Sequence, residues 1–145
     1  MATLSLLLTQ AQQLCEQRGV RMTAHRALVY RLLLENKLAI SAYELLEKLQ
    51  QVEPKAKPPT VYRALDFLLT QGLVHKIEST SSFIACHHIV CEHHCSQLLI
   101  CDECGTVTEC DSHQALQLLT QKSTEAGFKL KHHIIETHGT CQNCQ

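Results

Sequence analysis

The run Thr60-Val61-Tyr62-Arg63-Ala64-Leu65-Asp66-Phe67-Leu68-Leu69-Thr70-Gln71-Gly72 decides the fold, together with Leu73–Glu78 and Ser82–Cys86 that follow it. Val61, Leu65 and Leu68 recur at helical spacing, so Thr60–Gln71 reads as a helix that buries those three side chains and stops at Gly72. Leu73–Glu78 and Ser82–Cys86 then read as strands, joined by the turn formers Ser79-Thr80-Ser81. A helix running straight into a small hairpin is the closing half of a winged helix-turn-helix.

The upstream sequence supplies the remaining helices. Leu4, Leu7, Leu8, Ala11 and Leu14 mark a first amphipathic helix, with Gly19 as its stop. Thr23 offers an N-cap for a second, carrying Ala27, Leu28, Tyr30, Leu32 and Leu33. Ser41-Ala42-Tyr43-Glu44 is a capping box that opens a third with Leu45, Leu46 and Leu49. The segment Glu53-Pro54-Lys55-Ala56-Lys57-Pro58-Pro59 reads as a loop, because proline opposes helix there. Downstream the pattern changes: Leu98–Cys101 and Val107–Cys110 read as strands, Asp111–Glu125 as a helix and Phe128–Thr137 as a strand. The expected class is α+β, with a winged helix-turn-helix domain over residues 1–80, a hinge over 81–95 and a small α/β domain over 96–145.

Composition agrees with two small domains of different character. The chain has 145 residues, and 45% of them are apolar, which excludes wholesale disorder. Residues 1–80 carry ten Lys and Arg against seven Asp and Glu, or +3; residues 81–145 carry three against seven, or −4. The first half suits a polyanionic partner and the second does not. The N-terminal run Leu4, Leu6, Leu7, Leu8 lacks a cationic leader, and no apolar run reaches the ~20 residues of a membrane span, so a cytoplasmic protein with reduced thiols is expected. Nine Cys and ten His are then read as metal ligands before disulfides.

Cys101-x-x-Cys104-Gly105 and Gly139-x-Cys141-x-x-Cys144 are two knuckles, each placing a pair of thiolates on a tight turn. Together they can supply a tetrahedral four-sulfur zinc site, closed to water and therefore structural. The 36 residues between the pairs leave room for a helix and a strand, so the ion would staple the ends of the second domain together. A redox dithiol is the alternative reading. A second cluster contains His75, Cys86, His87, His88, Cys91, His93, His94, Cys95, Glu109 and Cys110. Its mixed sulfur, nitrogen and oxygen donors suit zinc, but spacing alone does not choose four of them.

Taken together, these motifs resemble the ferric uptake regulator (Fur) family, and within it the zinc-sensing members. The likeness rests on Arg21-Met22-Thr23-Ala24-His25-Arg26, Ser41–Leu46, Lys57–Leu68 with its Thr-Val-Tyr-Arg-Ala-Leu core, Gly72–Lys76, Ile100–Gly105 and His138–Cys144, and it spans nearly the whole chain. It implies a homodimer with N-terminal winged-helix domains and C-terminal dimerisation domains, and about two zinc ions per chain, one structural on the four cysteines and one regulatory. It nominates His75, Cys86, His94 and Glu109 as regulatory ligands, matching in type and in spacing. Cys91, His93 and Cys95 are further candidates, with His93 the alternative to His94. Two departures stand out: the usual Thr-x-Gln-Arg reads Thr23-Ala24-His25-Arg26, and Cys95-Ser96-Gln97-Leu98 replaces the His-rich stretch of iron and peroxide sensors.

The resemblance also implies double-stranded operator DNA as the partner, with Thr60–Gln71 as the recognition helix. Thr60, Tyr62 and Arg63 would lie at its front, Arg63 on a guanine edge or a phosphate. Arg21, Lys55, Lys57 and Lys76 would touch phosphates. The chain is expected to be a zinc-responsive repressor of zinc-uptake genes, without an organic cofactor or a membrane partner. An iron or peroxide sensor and a zinc-buffering protein are the competing readings. Catalysis is not expected: a zinc hydrolase with Glu109 as base lacks a nucleophile or pocket signature.

Overall fold

The computed structural model describes residues 3–89, 97–110, 113–131 and 133–145. They form two compact units, Met1–Cys91 and Glu92–Gln145. The first runs α1 (Leu4–Gln17), α2 (Ala24–Glu35), β1 (Ile40–Ser41), α3 (Ala42–Val52), α4 (Pro58–Thr70), β2 (Val74–Ile77) and β3 (Ser82–Ala85). The second runs β4 (Gln97–Cys101), β5 (Val107–Cys110), α5 (His113–Glu125) and β6 (Ile135–Gly139). The class is α+β, as expected.

Local chemistry sets the helix boundaries. The Thr3 and Thr23 side chains accept from the amides of Leu6 and Arg26 at the starts of α1 and α2. Ser41 and Glu44 close a reciprocal capping box on α3, with the Ser41 amide donating to Glu44 Oε2 at 2.8 Å and the Glu44 amide to Ser41 Oγ at 3.2 Å. The sequence places the start of the fourth helix at Thr60 and treats both prolines as loop, but α4 begins at Pro58. The first amides of a helix have no intrahelical partner, so Pro58 and Pro59 lose nothing there. Gly72 ends α4 at φ +70°, with the Leu73 amide donating to the Leu68 carbonyl at 2.9 Å, a left-handed stop that a β-carbon would strain.

Val29, Tyr30 and Leu33 of α2, Leu45 and Leu49 of α3, Val61, Leu65 and Leu68 of α4, and Leu73 form one buried cluster with Leu7, Ala11 and Cys15 of α1. The apolar stripes of four helices thus converge, which is where most of a small helical domain's stability arises. β2 and β3 pair antiparallel, with His75 opposite Ile84, and β1 adds to the outer edge of β3 through Ile40 opposite Phe83. β3 takes in Ser82–Ala85 of the span expected as hinge, while residues 90–96 lie outside the described residues.

In the second unit the order is β5-β4-β6, with β4 antiparallel to β5 and parallel to β6. α5 contains no buried residue, and Leu118 of α5 and Phe128 beyond it are 58% and 66% exposed. Among the described residues, no helix is long and apolar enough to cross a membrane.

Candidate metal centre and nucleic-acid interface

The parallel pairing of β4 with β6 brings the two cysteine pairs together. Cys101 is in register with Gly139, so both strands deliver their knuckles to the same end of the sheet. The Gly105 amide donates to the Cys101 carbonyl at 2.9 Å, and the Cys144 amide to the Cys141 carbonyl at 3.0 Å, closing each turn. Gly105 sits at φ +71°, where a side chain would be strained. The four ligand atoms of Cys101, Cys104, Cys141 and Cys144 lie within 4.8 Å of one another, and the Cys104 and Cys141 sulfurs are 3.7 Å apart. Zinc–sulfur bonds of ~2.3 Å define a tetrahedron whose sulfurs are about 3.8 Å apart. The donor set and its spacing therefore fit zinc.

The thiols are already unequal. The Cys141 amide donates to Cys101 Sγ at 3.3 Å, and this bond leads the effects that lower Cys101 to about 6. The neighbouring Thr106 side chain, 3.1 Å from the Cys104 sulfur, lowers Cys104 as well. Cys144, beside Cys141 and the other sulfurs, is pushed up to about 12. Clustered thiols cannot all ionise without a cation to offset their mutual repulsion, which a divalent ion would provide.

A polar clamp beside the site was not anticipated from the sequence. The Asp102 amide donates to the Gly139 carbonyl at 2.9 Å, and the Asp102 carboxylate lies 2.9 Å from His138 Nδ1. The bond to Asp102 leads the causes that raise His138 above its ordinary value. Asp102 thus joins the first knuckle to the strand that carries the second.

In the first unit, His75 and Cys86 are diagonal neighbours on the hairpin. His75 faces Ile84, and the Cys86 amide donates to the Leu73 carbonyl at 2.9 Å, which puts Cys86 on the His75 side of the ladder. Their ligand atoms come within 4.8 Å of each other, and Cys86 is fully buried. Glu109 lies on β5 of the second unit, opposite Leu98. His94, with Cys91, His93 and Cys95, lies outside the described residues.

The expected DNA residues have a consistent placement on the first unit. Tyr62 and Arg63 are exposed on α4, while Val61, Ala64, Leu65 and Leu68 face the core. Thr60 is half-buried, and Arg21, Lys55 and Lys57 are exposed. Lys76 Nζ is held by Glu78 Oε2 at 2.9 Å, so a phosphate contact there requires breaking that pair. His25 at the departing motif meets Glu53 at 2.8 Å, joining the start of α2 to the end of α3.

Residues 17–138 match the Ferric uptake regulator family. The chain belongs to the ferric uptake regulator family. It is 49% identical over 138 residues to the "Zinc uptake regulation protein" of Escherichia coli (strain K12), covering 95% of this chain and 81% of that protein. It is 31% identical to the corresponding regulator of Mycobacterium tuberculosis (strain ATCC 25618 / H37Rv), covering 88% and 96% of the two chains. Among solved structures it resembles a zinc uptake regulator complexed with zinc and DNA, at a TM-score of 0.94 and 48% identity over 99% of this chain and 96% of that one. These relatives are regulators of zinc uptake.

Proposed function

We propose that this Fur-family chain is a zinc-responsive transcriptional repressor, which binds operator DNA as a zinc-loaded homodimer and shuts off zinc-uptake genes. The observation that carries this reading is the His75–Cys86 pair, whose ligand atoms lie within 4.8 Å of each other on the wing hairpin. A pair able to bind metal thus lies in the unit that also carries α4. The names of the relatives, and the zinc and DNA in the solved regulator it resembles, support the same reading.

The two metal sites have different tasks. The four-cysteine site holds its ion permanently and shapes the second unit, since four sulfurs leave no open position for chemistry. The regulatory site uses His75 and Cys86 with His94 and Glu109, for a total of about two zinc ions per chain. A buried thiolate in that set favours zinc over Fe(II) or Mn(II), which prefer imidazole and carboxylate. Zinc shifts the protein toward the DNA-binding form because only that form offers all four ligands at once.

The units divide the work as the charge does. Residues 1–80 bind DNA, 81–95 connect, and 96–145 dimerise. The apolar face of α5, with Leu118 exposed to 58%, is covered by a second copy. In the dimer, two α4 helices meet half-sites about 34 Å apart. Tyr62, Arg63 and Thr60 read base edges or sugars at the front of the helix, and Arg21, Lys55, Lys57 and Lys76 set the position through phosphates. No catalytic role is assigned, and the protein works in the cytoplasm, where its thiols stay reduced.

The test is a binding series on a duplex that the protein itself enriches from a random library, with zinc, Fe(II) and Mn(II) supplied in turn. Zinc alone should support tight binding. Equal binding with Fe(II) at a single zinc per chain would move the protein to the iron-sensing branch.

A further inference from the structure

Two arginines of the first unit hold the end of α4 from α1 and α2. Arg18, the residue that ends α1, donates from Nη1 to the Gln71 carbonyl at 2.7 Å and to Gln71 Oε1 at 3.1 Å. Gln71 is the C-cap of α4, and α4 has no basic residue in its own last turn. Arg18 thus brings, from another helix, the positive charge that the carbonyl end of α4 attracts. Arg26, in the first turn of α2, lies with its guanidinium carbon 3.9 Å from the centre of the Phe67 ring on α4. Its Nη1 also donates to the Arg21 carbonyl at 2.6 Å.

The front of α4 is built differently. Its N-cap, Lys57, makes no side-chain capping hydrogen bond, and Pro58 and Pro59 occupy the first helical positions. Besides the core contacts of Val61, Ala64, Leu65 and Leu68, the contacts from Arg18 and Arg26 fall on the last turn, at Phe67 and Gln71, while Tyr62 and Arg63 stay exposed on the second. Planar stacking on an aromatic ring is a task that the guanidinium of arginine performs and the ammonium of lysine does not.

We propose that Arg18 and Arg26 are positioning residues: they fix the axial and rotational setting of α4, so that sequence is read by residues other than themselves. The proposal rests on the reading that α4 enters DNA. It separates specificity from affinity, because misplacing α4 spoils base contacts while leaving the phosphate-contacting charges in place.

The experiment uses the full-length, zinc-saturated chain and two short duplexes, one enriched by the wild-type protein from a random library and one of scrambled sequence. Arg26→Lys and Arg18→Lys keep the charge and remove the guanidinium that stacks on Phe67 or reaches Gln71. Each should weaken binding to the enriched duplex roughly tenfold and leave the scrambled duplex unchanged. The salt dependence on the enriched duplex should keep its slope, since no phosphate contact is removed. Phe67→Leu, which keeps an apolar side chain but removes the ring, should reproduce the Arg26→Lys loss without adding to it in the double variant. Zinc content and thermal unfolding, followed in parallel, identify a variant that merely misfolds; Phe67→Leu then decides for Arg26. Unchanged discrimination between duplexes in folded variants would overturn the proposal. So would an equal loss on both duplexes with the slope reduced by about one in Arg26→Gln, the mark of a direct phosphate contact. If the wild-type chain enriches no sequence, the DNA-binding reading falls, and this proposal with it.

Discussion

Replacing Cys104 with serine tests the structural site at its best-defined edge. The Cys104 and Cys141 sulfurs stand 3.7 Å apart, close to the separation in a zinc tetrahedron. A serine hydroxyl is shorter, harder and protonated at neutral pH, so it removes one of four ligands rather than substituting for it. A site of this type contributes ~10–16 kcal/mol of apparent free energy, so one ligand is worth on the order of 3–4 kcal/mol, or about two to three powers of ten in zinc affinity. The second unit has little to set against that loss, because α5 buries none of its side chains within the chain. The assay is zinc per chain after dialysis against a competing chelator, with thermal unfolding of the same samples. Cys104→Ser should lose one zinc and unfold at lower temperature, while Cys110→Ser, a thiol outside the quartet, should keep that zinc. Since Cys144 is pushed up to about 12, metal entry displaces its proton at neutral pH, and apparent affinity should fall as the pH falls. A Cys104→Ser protein that holds its zinc against the chelator and unfolds with the wild type would refute the reasoning.

Three further outcomes follow from the same geometry. Ser41→Ala removes the hydroxyl half of the capping box, leaving the residue-41 amide bonded to Glu44, and should cost ~1 kcal/mol in chemical unfolding. Hydrogen bonds from Ser41, the backbone one first, lower Glu44 below its ordinary value; that stabilisation is present above about 4.3 and lost as pH falls through the lower folded value, so the acid limb should flatten only in part in the variant, which keeps the backbone bond. Leu118→Asp places a charge on the exposed apolar face of α5 and should convert the dimer to monomer in sedimentation equilibrium, with the unfolding of the first unit unchanged. Arg63→Ala should lose ~1–3 kcal/mol on an enriched duplex if it reads a base edge, measured by direct titration, and should relax the sequence preference at one position per half-site.

Features encoded within a few residues were legible in the sequence. The caps at Thr23 and Ser41 and the stop at Gly72 depend on neighbours within one turn, and each is found where expected. The cysteine pairs were legible because a knuckle is a local motif, and parallel pairing of β4 with β6 then brings the two together. Features set by distant partners were not. β1 spans only Ile40–Ser41 and exists because β3 offers it an edge, too short a span to show periodicity. The strand expected over Phe128–Thr137 is Ile135–Gly139, since its extent follows the five residues of β4 beside it rather than its own apolar pattern. Arg18 and Gln71 are 53 positions apart, so no local pattern pairs them. Asp102 and His138 escaped notice for the same reason. Spacing alone did not single out His75 and Cys86 from a crowded cluster; the family resemblance nominated them, and the hairpin register makes them diagonal neighbours.

The proposed function separates a permanent zinc from a sensing one. The most direct test is a single titration of the apo regulatory site, with bound zinc per chain and occupancy of an enriched duplex measured on the same samples. DNA binding should be absent at one zinc per chain and rise in step with the second, and in Cys86→Ser the first zinc should remain while DNA binding stays low throughout. Full DNA binding at one zinc per chain, or a Cys86→Ser protein with undiminished zinc dependence, would contradict it.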